Sequence, residues 1–347
     1  MQGIEVVLRR LRSRGFDVTR RDLQRILRAY SITEDFWQGV GISEVPISYV
    51  VEALKGFEEI GVLEIKDTVK LTQSGYELCR VGGILHPENP CSNCGGRSIE
   101  LNGELRDLYK RFVEVSSGRP EAVKEYDQAY VTPDTTVYRV GMALYRGDIA
   151  GRRVTVLGDD DLVGVAISML GVAEEVVVVE VDERLVEFIQ SVKRDLGLSL
   201  DVIQFDLSNG VPEEMRGNFD TFFTDPPETE DALVAFVGCG IDTLKGEGSA
   251  GYFGITRQES SLFKWRRVQK RLLEAYDVVI TDIIKNFSEY VAWGYGYERQ
   301  DIPPLRKKPD TNWFYSYLYR IELLARTGER KQNRGIVYQD KENSILG

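Results

Sequence analysis

The sequence predicts an α/β protein, a doubly wound and mostly parallel sheet with helices on both faces, preceded by a smaller helical module. Three observations carry that expectation. From residue 153 onward, apolar runs of strand length alternate with amphipathic helical stretches, the pattern of a parallel sheet. The first of these runs, Val154-Thr-Val-Leu, ends in Gly158 and leads into an apolar helix reaching about residue 170, the opening unit of such a sheet. Acidic residues then recur where successive strands should end: Asp159, Asp160 and Asp161; Glu180 with Asp182; Asp206; Asp225 with Glu228.

The elements follow in order. Residues 1–80 read as a helical module closing in a hairpin. Leu23, Ile26, Leu27 and Tyr30 recur at helical spacing behind a Thr19 cap, and residues 47–60 repeat the pattern. Gly61-Val-Leu-Glu-Ile-Lys-Asp-Thr-Val-Lys-Leu-Thr72 alternates around a Lys-Asp-Thr turn and predicts a short hairpin. Helices followed by such a wing resemble a winged helix. That arrangement serves either DNA binding or plain packing and dimerisation. The helix before the wing carries three glutamates against one lysine, a poor footprint for phosphate, so the packing reading is preferred.

Residues 81–125 form a linker with a Cys-x-x-Cys turn and a helix near residues 101–115. Cys91 and Cys94, with Cys79 and the only histidine, His86, have the ligand types of a structural zinc site; two reduced thiols in a turn explain the same spacing. Residues 126–325 make up the Rossmann-like domain, whose mouth Tyr126-Asp-Gln-Ala-Tyr-Val-Thr-Pro133 and residues 135–145 are placed to line. Strands are expected at 175–180, 201–206, 219–225, 249–255, 278–290 and 312–324, and helices at 184–196, 231–244 and 262–276. Residues 326–347 are polar and aperiodic, as in a flexible tail able to fold over a substrate.

Composition narrows the function. Of 347 residues, 42% are hydrophobic and 29% charged, enough for a sizeable core and two domains. No apolar run approaches a membrane span, and the start lacks a signal-peptide core, so a cytoplasmic protein is expected. Four cysteines do not make a disulfide framework. The net charge of −11 argues against nucleic acid and for a cationic partner.

Ligands of open α/β sheets bind at the carboxyl ends of the strands. There Glu180 is placed to hold ribose hydroxyls, and Asp206, with Leu207, to meet an adenine. This order resembles the methyltransferase-type fold that binds S-adenosylmethionine. The departure lies after the first strand, where that fold keeps glycines and this chain has Gly158-Asp-Asp-Asp161. Ordinary S-adenosylmethionine brings its own carboxylate, and two like charges at ~4 Å cost about 4 kcal/mol at an effective dielectric of ~20. Decarboxylated S-adenosylmethionine carries only positive charge. Asp225-Pro226-Pro227-Glu228 departs similarly: amino-group DNA methyltransferases put an aromatic ring, which stacks on a flipped base, where Glu228 stands. A carboxylate pairs with an amine instead.

On Gly158-Asp-Asp-Asp161, Val179-Glu-Val-Asp182, Asp225-Pro-Pro-Glu228 and Gly254-Ile-Thr-Arg-Gln-Glu259, the chain resembles the branched-chain polyamine synthases over nearly its full length. The resemblance implies aminopropyl transfer from decarboxylated S-adenosylmethionine to the internal secondary amine of spermidine, with N4-bis(aminopropyl)spermidine and methylthioadenosine as products. It implies Asp159, Asp160 and Asp225 as catalytic residues, with Asp159 orienting and deprotonating the attacking nitrogen. Gly158, Asp161, Glu180, Asp182, Asp206 and Leu207 would hold the cofactor, and Asp160, Pro226, Pro227, Glu228 and Glu259 the acceptor. Trp293, Tyr295 and Tyr297 offer π faces to a cation. A thermophilic source and a homodimer are expected on the same ground. In-line displacement of a sulfonium needs no metal. The alternatives are an S-adenosylmethionine-dependent amino-group methyltransferase and a DNA-binding polyamine sensor.

Overall fold

A computed structural model describes residues 2–81, 94–291 and 302–324. The N-terminal module contains α1 (Gln2–Ser13), α2 (Arg20–Ile32), α3 (Phe36–Ser43) and α4 (Ile47–Glu59), the antiparallel pair β1 (Leu63–Ile65) and β2 (Val69–Leu71), and α5 (Gln73–Val81). Thr19 and Asp22 form a reciprocal capping box that starts α2, because each side chain satisfies the other residue's backbone N–H. The module does not close at the hairpin, as the alternation implied. The chain continues into α5, which carries Cys79 into the core formed with α1, α2 and α4. That core also takes in Val131, Tyr290, Leu305, Trp313 and Phe314, so it is continuous with the larger domain.

After α6 (Gly103–Ser116) and α7 (Pro133–Arg146) strands and helices alternate, except that among the described residues no α-helix separates β5 from β6 or β8 from β9: β3 (Arg153–Leu157), α8 (Val163–Leu170), β4 (Glu175–Glu180), α9 (Glu183–Leu196), β5 (Asp201–Gln204), β6 (Thr221–Thr224), α10 (Glu230–Thr243), β7 (Ala250–Thr256), α11 (Leu262–Ala275), β8 (Val278–Glu289) and β9 (Tyr315–Leu323). The valine run of β4 and the wholly buried β7 are apolar on both faces, as strands covered by helices on two sides must be. The sheet order is β5-β4-β3-β6-β7-β9-β8, parallel from β5 to β7, with β9 antiparallel to both neighbours.

Strand order reverses between β3 and β6. Leu157 lies opposite Val179 on one side and Thr224 on the other, so the turns after β3, β4 and β6 emerge together. A crevice at the carboxyl edge of the sheet results, at the position where open α/β sheets bind ligands. Among the described residues, no helix is long and apolar enough to cross a membrane.

Candidate active site

The turn after β3 is built from backbone strain and one missing side chain. Gly158 has φ 71°, and Leu162, the residue before α8, is held at φ 57° although it has a branched side chain. Such a conformation survives only where its surroundings hold it, and it is common at functional sites. Gly164 leaves room: a β-carbon there would meet Asp159 Oδ2 at 2.9 Å and Val178 at 2.4 Å.

The three aspartates, identical in sequence terms, have three different fates. Asp159 is buried and turned under α8, its carboxylate accepting hydrogen bonds from Val163 N (2.5 Å) and Gly164 N (3.0 Å). It caps a helix with its unpaired amides. Asp161, also buried, accepts from Val131 N (2.8 Å) and from Arg139 (2.7 Å). Asp160 is only half-buried, and among the described residues nothing in the protein donates to its carboxylate; its backbone carbonyl takes Arg119 at 2.8 Å. Burial, then Asp161, Glu180 and Asp225, raises the Asp160 carboxyl well above the usual range. The role given to Asp159 from sequence is therefore met by an inward-facing group, and Asp160 is the free one.

The acids around it are committed too. Glu180 accepts from the backbone N–H of Asp159 (2.8 Å), Val181 (2.9 Å) and Asp182 (2.9 Å), which joins the ends of β3 and β4. Burial raises its carboxyl, opposed by those three amides. Asp182 caps α9 through Arg184 N (3.0 Å) and is held by the Arg184 side chain and by Gln128 at 2.9 Å. Despite partial desolvation, those partners keep it below the usual range. Its carboxylate, assigned to the cofactor from sequence, is engaged by these protein partners. Asp206 is exposed and caps a short turn beginning at Leu207, accepting from Ser208 N at 2.8 Å.

Asp225, after β6, accepts from Arg139 (2.7 Å) and from the Tyr290 hydroxyl (2.6 Å). Gly254 makes this possible, since a β-carbon there would lie 2.3 Å from Asp225 Oδ1. Arg139 thus bridges Asp161 and Asp225 and also donates to Ser288 Oγ. Its own burial works against the charge, but Asp225 and Asp161 outweigh it and the guanidinium is held more firmly protonated.

Past Pro226 and Pro227, Glu228 accepts from Thr256 N (2.6 Å) and the Ser260 hydroxyl (2.7 Å). Burial pushes its carboxyl up to about 8, against those two donors and with help from Glu259. Glu259 lies at the rim with solvent-open surface; the protein crowding its carboxyl, and then Asp127, raise it to about 7. Glu228, Glu259 and Asp127 form one acidic group beside the end of β7, and Asp160 is a further acid in the turn after β3, a charge distribution that favours ammonium groups.

Residues 107–345 match the family model described as the branched-chain polyamine synthase A C-terminal domain. The N(4)-bis(aminopropyl)spermidine synthase of Methanocaldococcus jannaschii is 41% identical over 349 positions, covering 98% of this chain and 99% of that one. The enzyme of the same name from Thermococcus kodakarensis is 41% identical with the same two coverages. This chain belongs to the branched-chain polyamine synthase family. A solved structure from that family, the Thermus thermophilus synthase in complex with N4-aminopropylspermidine and 5'-methylthioadenosine, superposes with a TM-score of 0.84 at 36% identity, covering 98% of this chain and 97% of that one.

Within this chain, Gly158, Asp161 and Asp225 line the crevice together with Arg139, and Asp160 stands in the same turn, within electrostatic reach of Asp161 and Asp225, whereas Glu228 and Glu259 sit further along, beside the end of β7. Sequence reasoning missed Arg139, Tyr290 and Asp127. Arg139 left a readable signal: it falls on the buried face of α7 among Thr135, Thr136, Val137 and Val140, where an arginine needs an acid partner. Trp293, Tyr295 and Tyr297, the tail after 325, and the metal candidates His86 and Cys91 lie outside the described residues. Cys79 leaves the metal set. It is buried 3.9 Å from the Leu27 carbonyl, and burial raises its thiol to about 11.

Proposed function

We propose that this chain transfers aminopropyl groups from decarboxylated S-adenosylmethionine to the internal secondary amine of spermidine, giving N4-aminopropylspermidine, N4-bis(aminopropyl)spermidine and methylthioadenosine. The observation that carries this reading is the Asp160 carboxylate, without a donor among the described residues, in the turn after β3 whose Gly158 and Asp161 line the crevice, while its acidic neighbours are satisfied. A site with one unspent acid, and further raised acids beyond it, is complementary to a ligand that is positive along its length.

The chemistry follows from charge. The nitrogen lone pair of the acceptor attacks the terminal aminopropyl carbon next to sulfur; the carbon–sulfur bond breaks and its electrons return to sulfur, leaving a neutral thioether. An amine attacks only when unprotonated. Asp160, whose carboxyl is raised well above the usual carboxylate range by burial and by its acidic neighbours, is suited to take that proton in the first transfer. In the second transfer the attacking nitrogen is tertiary and the product quaternary, so no proton leaves and alignment supplies the rate. Asp159 and Glu180 fix the turn, and Arg139 neutralises Asp161 and Asp225 so that the crevice does not hold excess negative charge. Asp206 and Leu207 flank the adenine, and Glu228 and Glu259 face the acceptor's ammonium groups. The reading includes a homodimer in the cytoplasm.

Incubation of the chain with spermidine and decarboxylated cofactor, with products resolved by mass, tests the proposal. Successive additions of one and two aminopropyl groups are expected. Addition of methyl groups from S-adenosylmethionine instead would replace it with the methyltransferase reading.

A further inference from the structure

We infer that the N-terminal module positions the acceptor-facing loop of the catalytic domain, acting through residues 256–260; the inference rests on the aminopropyl-transfer reading above. This loop follows β7 and holds both partners of Glu228, Thr256 N and Ser260 Oγ, as well as Glu259 itself. It has little structure of its own. The catalytic domain holds its ends, through Tyr315 and Trp265 at Thr256 and Glu228 at Ser260, and the N-terminal module holds its middle.

Three contacts do so. Arg257 is almost fully buried and pairs with Asp22 of α2 at 3.4 Å, while its other amino group donates to the Ser260 carbonyl at 2.6 Å. Ile47 N, at the first turn of α4, donates to the Gln258 carbonyl at 2.7 Å. Gln258, fully buried, donates to the Gly41 carbonyl at 3.4 Å and accepts from Thr256 Oγ1 at 2.6 Å. Each residue of the loop between Thr256 and Ser260, except Glu259, is thereby clamped, and Glu259 alone projects to the rim.

The same contacts argue against nucleic-acid recognition. In a helix-turn-helix, the N-terminal residues of the second helix read base edges. Here the start of α4 is occupied by Gln258. The module is better described as a wall of the active site than as an appended DNA reader.

Asp22 also caps α2, so loss of the clamp has to be separated from loss of the cap. Thr19→Ala removes the cap partner and leaves the Arg257 pair. Asp22→Asn and Arg257→Met break the pair, and Gln258→Ala weakens the loop while keeping the backbone bond to Ile47. In steady-state kinetics on the full chain, Asp22→Asn and Arg257→Met are expected to raise KM for spermidine about tenfold, and Gln258→Ala about threefold. In all three, kcat and the KM for the decarboxylated cofactor should stay within about twofold. Thr19→Ala should lower Tm and leave both KM values unchanged.

Spermidine KM unchanged in Asp22→Asn and Gln258→Ala overturns the inference, as does a donor KM that rises in step. Should Asp22→Asn fail to fold, Gln258→Ala alone decides the matter on the same readout. A wild-type chain that neither binds nor converts spermidine overturns the functional reading, and this inference with it.

Discussion

The two halves of the site treat their carboxylates in opposite ways. Around the ends of β3 and β4, Asp159, Glu180 and Asp182 are met mostly by backbone amides, eight N–H and side-chain donors being named above for the three of them. Asp160, in the same turn, has no donor to its carboxylate among the described residues, and beside the end of β7 Glu228 and Glu259 are pushed up to about 8 and about 7. Desolvation raises the charged form's cost throughout, and at Glu228 the two donors, Thr256 N and Ser260 Oγ, do not offset it. The bonded acids at β3 and β4 shape the turn. Asp160 and the rim carboxylate of Glu259 stay open to a cationic ligand.

The largest effect should come from breaking the second half. Asp160→Asn is expected to lower kcat for the first aminopropyl transfer by about 10²–10⁴-fold with Tm unchanged, measured by product mass against time. Asp159→Asn should show the converse, a lower Tm from the weakened helix cap and a smaller kinetic loss. Equal kinetic losses in the two variants would remove the distinction between the halves.

Arg139→Leu tests the joint between them. It leaves Asp161 and Asp225 buried without their shared cation, and breaking a buried ion pair from one side costs about 3–5 kcal/mol. Thermal unfolding should record a clear fall in Tm. An unchanged Tm would mean that the two acids are neutral and need no cation.

The pH dependence sharpens the comparison further. An acid raised in the folded chain keeps its proton where the unfolded chain has lost it. For Glu228 the folded state therefore binds more protons between 4.5 and about 8, and its contribution to stability falls with rising pH over that window, then levels. Substrate binding has the opposite slope, because only the ionised carboxylates attract ammonium groups. KM for spermidine should fall as pH rises from 6 to roughly 8.5, and Glu228→Gln should flatten that dependence. A wild-type KM that is flat with pH would show that these acids are already ionised.

The smallest effect concerns Asp206, exposed and bonded only to Ser208 N and to its own turn. Asp206→Ala should raise the KM for the decarboxylated cofactor by about five- to tenfold, the size of one hydrogen bond, without moving that for spermidine. Equal changes in both would place Asp206 outside the adenine pocket.

The alternation that predicts the sheet is legible because period and length are local properties: the valines of β4 and the glycine-ended run of β3 are read directly. The positions of the acids are legible for the same reason, since strand ends fix them. Their individual roles are not. Asp159 and Asp160 are neighbours with the same side chain, and only the three-dimensional turn sets one under the amides of α8 and leaves the other without a donor among the described residues. Arg139 acts across 86 residues of sequence on Asp225, a pairing that no local pattern encodes. The helix after the hairpin, α5, was missed because Gln73-Ser-Gly-Tyr begins polar and contains a glycine, which weakens helical periodicity.

Arg139 links the turns that follow β3 and β6 and reaches Ser288 near the end of β8, so one guanidinium staples three chain segments across the gap where the sheet divides. The hydration that competes with a buried ion pair becomes less favourable as water warms. The staple therefore gains in relative strength as thermal agitation grows, a way of holding the two turns together that needs no larger core.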